Sequence, residues 1–506
     1  MRPTVPRVRL ADVPALVTAD WVGDSSLVTV TGVTLNSREV HPGDCYAALP
    51  GQNTHGANYV AEAVAAGAVA ILTDPTGASR LGEVAVPIAV LPDPRAELGN
   101  VAAYVYGNPA DRLEIIGVTG TNGKTTLSYL LEAGLQANGV STGIIGTTGV
   151  HIGAERLPSA RTTPEATDVH RILALMVERG VNTVAMEVSS HALALGRVAG
   201  VTFDAAVFTN LSQDHLDFHG SMAAYFAVKA SLFRPGVSQQ AVVCVDDQWG
   251  RQLLDLTPLP TTTYGVAASA DWRISGVRQS GTGSWSGLVT GPTGHDRSAN
   301  IELLLTGQIP GHFNQVNALG ALATLAALGY DPNLVATGIQ RCTGVPGRMQ
   351  RVPTEEFAAF VHYAHTPDAV SNVLAATRAF THGAIITVLG CGGDRDQEKR
   401  ALMGATAAAG SDQLIITDDN PRSEPAADIR AEMRAGVAAE DQDKVVEIGD
   451  RRAAIQAAVR RAQPGDCILL LGKGHEQGQE IAGEMLPFND VAELSGELGR
   501  VESAKA

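Results

Sequence analysis

Short apolar runs alternate along the chain with longer stretches in which leucine, alanine and valine return at helical spacing, a pattern that predicts strands followed by helices. From about Leu10 to Arg112 the runs are brief ("AVAILTD", "PIAVL") and are broken by turn sequences such as "HPGD" and "GQNTHG". They predict a small α/β domain. At "LEIIGVTGTNGKTTLSYLLEAGL" an apolar run enters a loop rich in glycine and threonine and continues as a helix with regularly spaced leucines. Further strands are predicted at "NTVAMEV" and "DAAVFTN", a helix at "FNQVNALGALATLAALG", and a linker at the Gly/Pro-rich "TGVPGR". From Met349 onward "FAAFVHYA", "AIITVLG", "DQLIITD" and "CILLLG" alternate with helical stretches such as "RRAAIQAAVRRA", which predicts a doubly wound parallel sheet. The tail "GRVESAKA" is expected to be frayed.

A chain of 506 residues exceeds one ordinary core, and the pattern divides it into residues 1–112, 113–346 and 347–506. With 45% hydrophobic and 18% charged residues, each part can bury a core. The formal charge of −16, with no run of Lys/Arg to offset it, argues against nucleic acid and anionic membranes as partners and favours a small-molecule substrate. The cysteines Cys45, Cys244, Cys342, Cys391 and Cys467 show no CxxC spacing, so neither a zinc ribbon nor a disulfide framework is expected, and a reducing cytoplasm fits. The first residues lack the apolar core of an export signal.

The chemistry begins in "GVTGTNGKTT". Its glycines let backbone amides turn toward an anion, Lys124 can bridge phosphate oxygens, and the Thr125 hydroxyl can hold Mg²⁺ at the start of a helix. The loop is a variant of the phosphate-binding pattern, with Val118 at the position of its first glycine and Gly117 and Gly120 nearby. It identifies a nucleotide and no particular reaction. Glu187 in "AMEVSSHAL" and His215 in "TNLSQDHLDFHG" follow strands, and a carboxylate there suits a hard cation next to phosphates. The His215/His219 spacing also admits zinc, although no HExxH context supports it. Lys229 in "YFAVKASLF" reads from its neighbours alone as a lysine snorkelling from an amphipathic helix. "TDDNPRSEP" leaves three readings open: a metal site, a helix entrance, or a reader of a small charged molecule.

Taken in order, "GVTGTNGKTT", "TTPEAT", "EVSSHAL", "TNLSQDHLDFHG", "YFAVKASLF", "GHFNQVN", "YAHTPD", "GCGGDRD", "DDNPR" and "GKGHE" resemble the Mur ligase family over nearly the whole chain, and the pairing of "GCGGDRD" with "DDNPR" resembles its diaminopimelate-adding branch. The resemblance implies an α/β protein of three domains: a small N-terminal α/β domain for the UDP end of the substrate, a central P-loop ATPase-like parallel-sheet domain, and a C-terminal Rossmann-like domain for the amino acid. It implies a cytoplasmic, monomeric, ATP-dependent amide ligase of peptidoglycan precursor synthesis. That enzyme adds meso-2,6-diaminopimelate to the D-Glu γ-carboxylate of UDP-MurNAc-L-Ala-D-Glu through an acyl phosphate.

By the same resemblance Gly120, Thr121, Asn122, Gly123, Lys124, Thr125, Thr126, Asn314, Arg348, Tyr363 and His365 bind ATP. Mg²⁺ is held by Thr125, Glu187, His215 and a carbamylated Lys229, which reverses the snorkelling reading. Lys124, Glu187, His215 and Lys229 form the catalytic set. Leu35, Ser37, Gln52, Asn53 and Thr54 match uridine-side positions, and Thr162, Thr163, Ser189 and Arg197 match muramoyl-side ones. Arg395, Asp419, Asn420, Pro421, Arg422, Gly472 and Glu476 match the diaminopimelate site. There the arginines suit the distal carboxylate, which lysine lacks, and the acids suit the ammonium.

Two positions depart from the family pattern: Leu195 replaces a glutamine that contacts the substrate in some relatives, and His362 replaces an aspartate. The rival readings are a folylpolyglutamate synthase or lysine-adding ligase of the same superfamily, and a catalytically idle nucleotide-binding regulator.

Overall fold

The computed structural model describes residues 2–51, 54–280, 283–293, 299–354 and 356–505. Its three large sheets follow one another along the chain. The first has the strand order Asp20–Val22, Ile88–Val90, Ala70–Thr73, Asp44–Ala48, Gly32–Thr34, parallel except for the Asp20–Val22 edge. The "AILT" and "IAV" strands are buried along their whole length, as expected when both faces of a parallel sheet are covered.

The second sheet has eleven strands, with Glu114–Thr119 near its middle between Thr183–Glu187 and Phe203–Phe208. Its parallel heart matches the strands the apolar runs predict. Antiparallel strands extend it on both sides: Gly149–Ile152 and Glu155–Leu157 on one, and an arm of Trp272–Gln279, Trp285–Thr293 and Ala299–Gly307 on the other. The arm falls outside the predicted strands because Trp285–Thr293 is rich in Gly, Ser and Thr and Trp272–Gln279 is interrupted by an exposed register shift between Ser275 and Arg278. Helix Lys124–Ala137 leaves the central strand and buries Leu127, Leu130, Leu131 and Leu135 in a core shared with helix His312–Ala327.

The third sheet runs Gln350–Arg351, Ala358–His362, Cys467–Leu471, Ile385–Leu389, Gln413–Ile416, Val445–Glu447, and only the Gln350–Arg351 edge is antiparallel. A hairpin, Gly478–Ile481 with Glu484–Pro487, follows it. The backbone stays helical from Asp490 to Lys505, so most of the tail expected to fray continues a helix instead. Among the described residues no helix is long and apolar enough to cross a membrane.

A buried ion pair ties the helix Arg451–Arg461 to the start of the helix Asp490–Lys505. Arg451 donates from Nε to Asp490 Oδ1 at 2.8 Å, and from Nη2 to Asp490 Oδ2 at 2.7 Å and to the Leu471 carbonyl at 2.9 Å. Both residues are at most 1% exposed. Removing one partner strands a charge in the interior, so Asp490→Ala is expected to cost about 3–5 kcal/mol. Chemical denaturation checks this, and a loss below about 1 kcal/mol would show that water reaches Arg451.

Candidate active site

The phosphate loop sits where the strand Glu114–Thr119 ends, at the carboxyl edge where ligands of such sheets bind. Gly123 has a φ of 90°, and a Cβ there would lie 2.5 Å from Asn317 Oδ1, so only glycine fits. Thr126 is buried in the first turn of the helix. Thr121 Oγ1 accepts from Ser212 N at 3.0 Å and lies 3.2 Å from the Tyr225 hydroxyl, and Asn122 N donates to Asn210 Oδ1 at 3.0 Å. These bonds tie the loop to the segment that follows Phe203–Phe208.

Two lysines converge on one carbonyl. Lys124 Nζ and Lys229 Nζ each donate to Gly120 O at 2.9 Å. Lys229 is 1% exposed, and its ammonium also lies 4.8 Å from the Tyr225 ring centre. Burial and then the charge of Lys124 hold its pKa well below that of an ordinary lysine, and Asp214 opposes them. Burial likewise lowers Lys124 against the pull of Glu187 and Asp214. The snorkelling reading fails on geometry, because the Lys229 ammonium points inward to the phosphate loop.

Glu187 is fully buried at the end of its strand. Its Oε2 accepts from the hydroxyls of Thr125 at 3.0 Å and Thr147 at 2.9 Å, and its Oε1 accepts from Thr147 N at 2.9 Å. A Cβ on Gly146 would meet Oε1 at 2.2 Å, so the carboxylate lies in a fitted cradle. Thr147 was invisible in the sequence as a functional position, and "GTTG" after an apolar run was its only signal. A hydroxyl and a carboxylate side by side at a phosphate loop are hard oxygen donors that fit Mg²⁺.

His215 stands across the loop at a left-handed φ of 53°, with Nε2 3.4 Å from Asp214 Oδ2 and its ring packed against His191. Burial would raise Asp214, but His215, His365 and Lys124 outweigh it and hold that carboxyl below its usual range. His219 instead meets Ser190 Oγ at 2.9 Å and stacks on Tyr225. Among the described residues no group of three or more His, Cys, Asp or Glu is placed to hold a metal ion.

The third domain meets the phosphate loop through Arg348, which Tyr363 backs. Arg348 Nη2 donates to Thr125 Oγ1 at 3.3 Å, and its guanidinium lies 4.8 Å from the Tyr363 ring centre. Burial pushes the Tyr363 phenol up to about 12, with the charges of Glu476 and Asp419 adding to the rise and those of Arg348 and Arg422 opposing it. His365 Nδ1 lies 2.9 Å from the Tyr363 carbonyl, and burial lowers its pKa. Asn314 donates to the Pro310 carbonyl at 2.7 Å and lies beside Asn317, the neighbour of Gly123. His362 is 8% exposed, and burial takes its pKa down to about 3, with Arg348 and His365 lowering it further.

The "GGDRD" and "DDNPR" loops are knitted together after adjacent strands. Gly393 N donates to Asn420 O at 2.9 Å, Arg422 Nη1 to Gly393 O at 2.6 Å, and the Ser423 hydroxyl to Asp394 Oδ1 at 2.7 Å. Arg422 has a φ of 55°, and its Nε lies 3.2 Å from Glu480 Oε2. Pro421 is buried, whereas Arg395 is exposed at the head of its loop.

The paired aspartates separate in role: Asp418 pairs with Arg430, while Asp419 is buried at 8% exposure. Burial raises Asp419, and Lys473 and Arg451 oppose it. Gly472, at φ 104°, leaves room for that carboxylate, since a Cβ would lie 2.6 Å from Asp419 Oδ2. Asn420 Nδ2 donates to Glu476 Oε2 at 2.9 Å.

The muramoyl-side residues gather beside Glu187. Thr163 Oγ1 donates to its carbonyl at 2.8 Å, Thr162 and Thr147 hydroxyls lie 3.0 Å apart, and Ser189 Oγ accepts from Ala192 N at 3.2 Å. Arg197 pairs with Glu165 at 3.0 Å. Leu195 is half-buried after the short helix Ser190–Ala194. In the first domain Leu35, Ser37 and Thr54 follow the adjacent strands Gly32–Thr34 and Asp44–Ala48, with Ser37 opening the short helical turn Ser37–Glu39 and donating to Glu62 at 3.2 Å, and Thr54 accepting from Asn58 at 3.0 Å. Gln52 and Asn53 lie outside the described residues.

Comparison with known proteins agrees with this geometry. Residues 29–106 match the Mur ligase family catalytic domain, 118–325 the Mur ligase middle domain, and 347–474 the Mur ligase glutamate ligase domain. The chain is 49% identical to the UDP-N-acetylmuramoyl-L-alanyl-D-glutamate–2,6-diaminopimelate ligase of Streptomyces coelicolor, over 96% of this chain and 97% of that one. It is 43% identical to the UDP-N-acetylmuramyl-tripeptide synthetase of Leifsonia xyli subsp. xyli, over 97% and 96%. A solved structure of a UDP-N-acetylmuramoyl-L-alanyl-D-glutamate–2,6-diaminopimelate ligase superposes with a TM-score of 0.67 at 31% identity, over 98% of this chain and 100% of that chain. With all three domain models matched in order and near-full-length relatives this similar, the chain belongs to the Mur ligase family.

Proposed function

We propose that the protein is an ATP-dependent amide ligase that joins meso-2,6-diaminopimelate to the D-Glu γ-carboxylate of UDP-MurNAc-L-Ala-D-Glu in peptidoglycan precursor synthesis. The observation that carries the reading is the contact chain from Thr125 through Arg348 and Tyr363 to His475, the neighbour of Glu476, which brings the phosphate loop and the Asn420–Glu476 pair together. A phosphoryl donor and an amino-acid pocket then share one cleft. The names of the near-full-length relatives support the same substrates.

ATP lies on the loop Gly120–Thr126, with Lys124 beside its terminal phosphates and Asn314, Arg348, Tyr363 and His365 around the rest. Thr125, Glu187 and His215, with Lys229 as a carbamate, would hold Mg²⁺, and when bound it would neutralise charge between the two anions. The γ-carboxylate oxygen attacks the γ-phosphorus, the bond to ADP breaks, and an acyl phosphate forms. The incoming amine attacks the acyl carbon and loses a proton, and phosphate leaves. Thr162, Thr163, Ser189 and Arg197 orient the muramoyl peptide, and Leu35, Ser37, Gln52, Asn53 and Thr54 hold the uridine end. Arg395 and Arg422 take the distal carboxylate, and Asp419, Asn420, Glu476 and the Gly472 backbone surround the ammonium, with Pro421 fixing the loop. The domain division is 1–112, 113–346 and 347–506, supported by the confinement of each large sheet to one span. The enzyme acts as a cytoplasmic monomer.

Phosphate release measured with diaminopimelate and with lysine, using UDP-MurNAc-L-Ala-D-Glu as acceptor, tests reaction and selectivity together. Diaminopimelate is expected to be favoured by at least about 10³-fold in kcat/KM. Equal use of lysine would overturn the selectivity, and no phosphate release with either amino acid would favour the catalytically idle nucleotide-binding regulator.

A further inference from the structure

The third domain contains a lysine that the motif reading passes over although it lies inside "GKGHE". Lys473 is 0% exposed. Its Nζ donates to Asn420 Oδ1 at 3.0 Å and to Glu476 Oε2 at 2.9 Å, and stands 4.0 Å from Asp419 Oδ1. One ammonium therefore touches the residues assigned above to the substrate's own ammonium. A buried lysine is costly unless every donor is met, and here its surroundings are polar on each of these sides.

Charge and geometry give this cation a task. Asp490 is taken up by its two-pronged pair with Arg451, and Lys473 stands against two further carboxylates, Asp419 at 4.0 Å and Glu476 at 2.9 Å. Lys473 is sealed from solvent and cannot be exchanged for a ligand, whereas the Glu476 side chain is 29% exposed. The bonds from Lys473 and Asn420 both fall on Glu476 Oε2. Its other oxygen, Oε1, receives neither. Asn420 is fixed in turn by Glu480 N, which donates to Asn420 Oδ1 at 3.0 Å, so the amide cannot rotate freely.

We propose that Lys473 is a positioning residue for the incoming amino acid. It clamps Glu476 Oε2 and Asn420 Oδ1 so that Glu476 Oε1 is presented to the ammonium of a diamino dicarboxylic acid. The inference rests on the diaminopimelate-ligase reading given above. Without the clamp, Asp419 and Glu476 repel each other and Glu476 samples several rotamers, which weakens capture of the amino acid and leaves the nucleotide side untouched.

Steady-state kinetics on Lys473→Met and Lys473→Arg in the full chain test this. Lys473→Met is expected to raise KM for diaminopimelate by about 10–100-fold, the range for losing hydrogen bonds to a charged group, with KM for ATP and for the nucleotide sugar within about twofold. Lys473→Arg, which restores the charge, is expected to recover part of that loss. An unchanged KM for diaminopimelate overturns the proposal, as does an equal rise in all three KM values. If Lys473→Met does not fold, the same readings are made on Lys473→Gln, and failure of both to fold assigns Lys473 a purely structural role and overturns the proposal. Wild-type protein without diaminopimelate-dependent phosphate release would instead refute the functional reading, before any variant is made.

Discussion

Arg422→Ala is expected to lower kcat/KM for diaminopimelate by about 10³–10⁴-fold while nucleotide-sugar binding stays within about twofold. The size follows from what the side chain does. Its guanidinium is held by the Gly393 carbonyl at 2.6 Å and by Glu480 at 3.2 Å, so it is aimed before any substrate arrives. A pre-aimed fork pairs with a carboxylate in a fixed geometry, and its removal leaves the distal carboxylate of the substrate desolvated and unpaired. Arg422→Lys should recover little, because an ammonium cannot reproduce the planar pair of donors. Isothermal titration with the nucleotide sugar and phosphate release with diaminopimelate separate the two effects. An unchanged apparent affinity for diaminopimelate would remove Arg422 from the site.

The second large effect is expected at Lys229. Lys229→Ala should lower turnover by about 10²–10³-fold, and added short carboxylic acids should restore part of it. The side chain is buried against Gly120 O with a second lysine on the same carbonyl, an arrangement that penalises an ammonium. Burial and Lys124 depress its pKa, so the neutral amine prevails at a lower pH than for an ordinary lysine, and the neutral amine is the form that takes up carbon dioxide to become a carbamate. The sign for stability follows: between the depressed folded value and the usual 10.5 the unfolded chain binds the extra proton, so this lysine's contribution improves as pH rises through that window. A small acid entering the gap left by alanine would replace the missing carboxylate. Rescue that fails across acids and concentrations, with the variant folded, would rule the carbamate out.

The phosphate loop, the strands around it and the alternation of the third domain were legible because each rests on local rules: glycine where φ is positive, apolar runs where strands are buried on both faces, leucines at helical spacing. The antiparallel arm was not, since Trp285–Thr293 interleaves Gly, Ser and Thr with its apolar residues and the register of Trp272–Gln279 shifts between Ser275 and Arg278, which blurs the alternation. "DDNPR" was legible as chemistry and ambiguous as a site. Two neighbouring aspartates look alike in sequence, yet Asp418 is spent on Arg430 and Asp419 on the interior beside Lys473.

The sequence by itself determined the order of the elements, the nucleotide loop and the residue types for reading a zwitterionic substrate, because motif spacing and side-chain chemistry are local properties. The tertiary structure decided that Lys229 points inward rather than to solvent, that Thr147 clamps Glu187, and that Lys473 sits under Asn420 and Glu476. Burial and partner identity depend on segments far apart in the chain. The same lysine is a solvated surface charge or a sealed interior cation according to what folds over it.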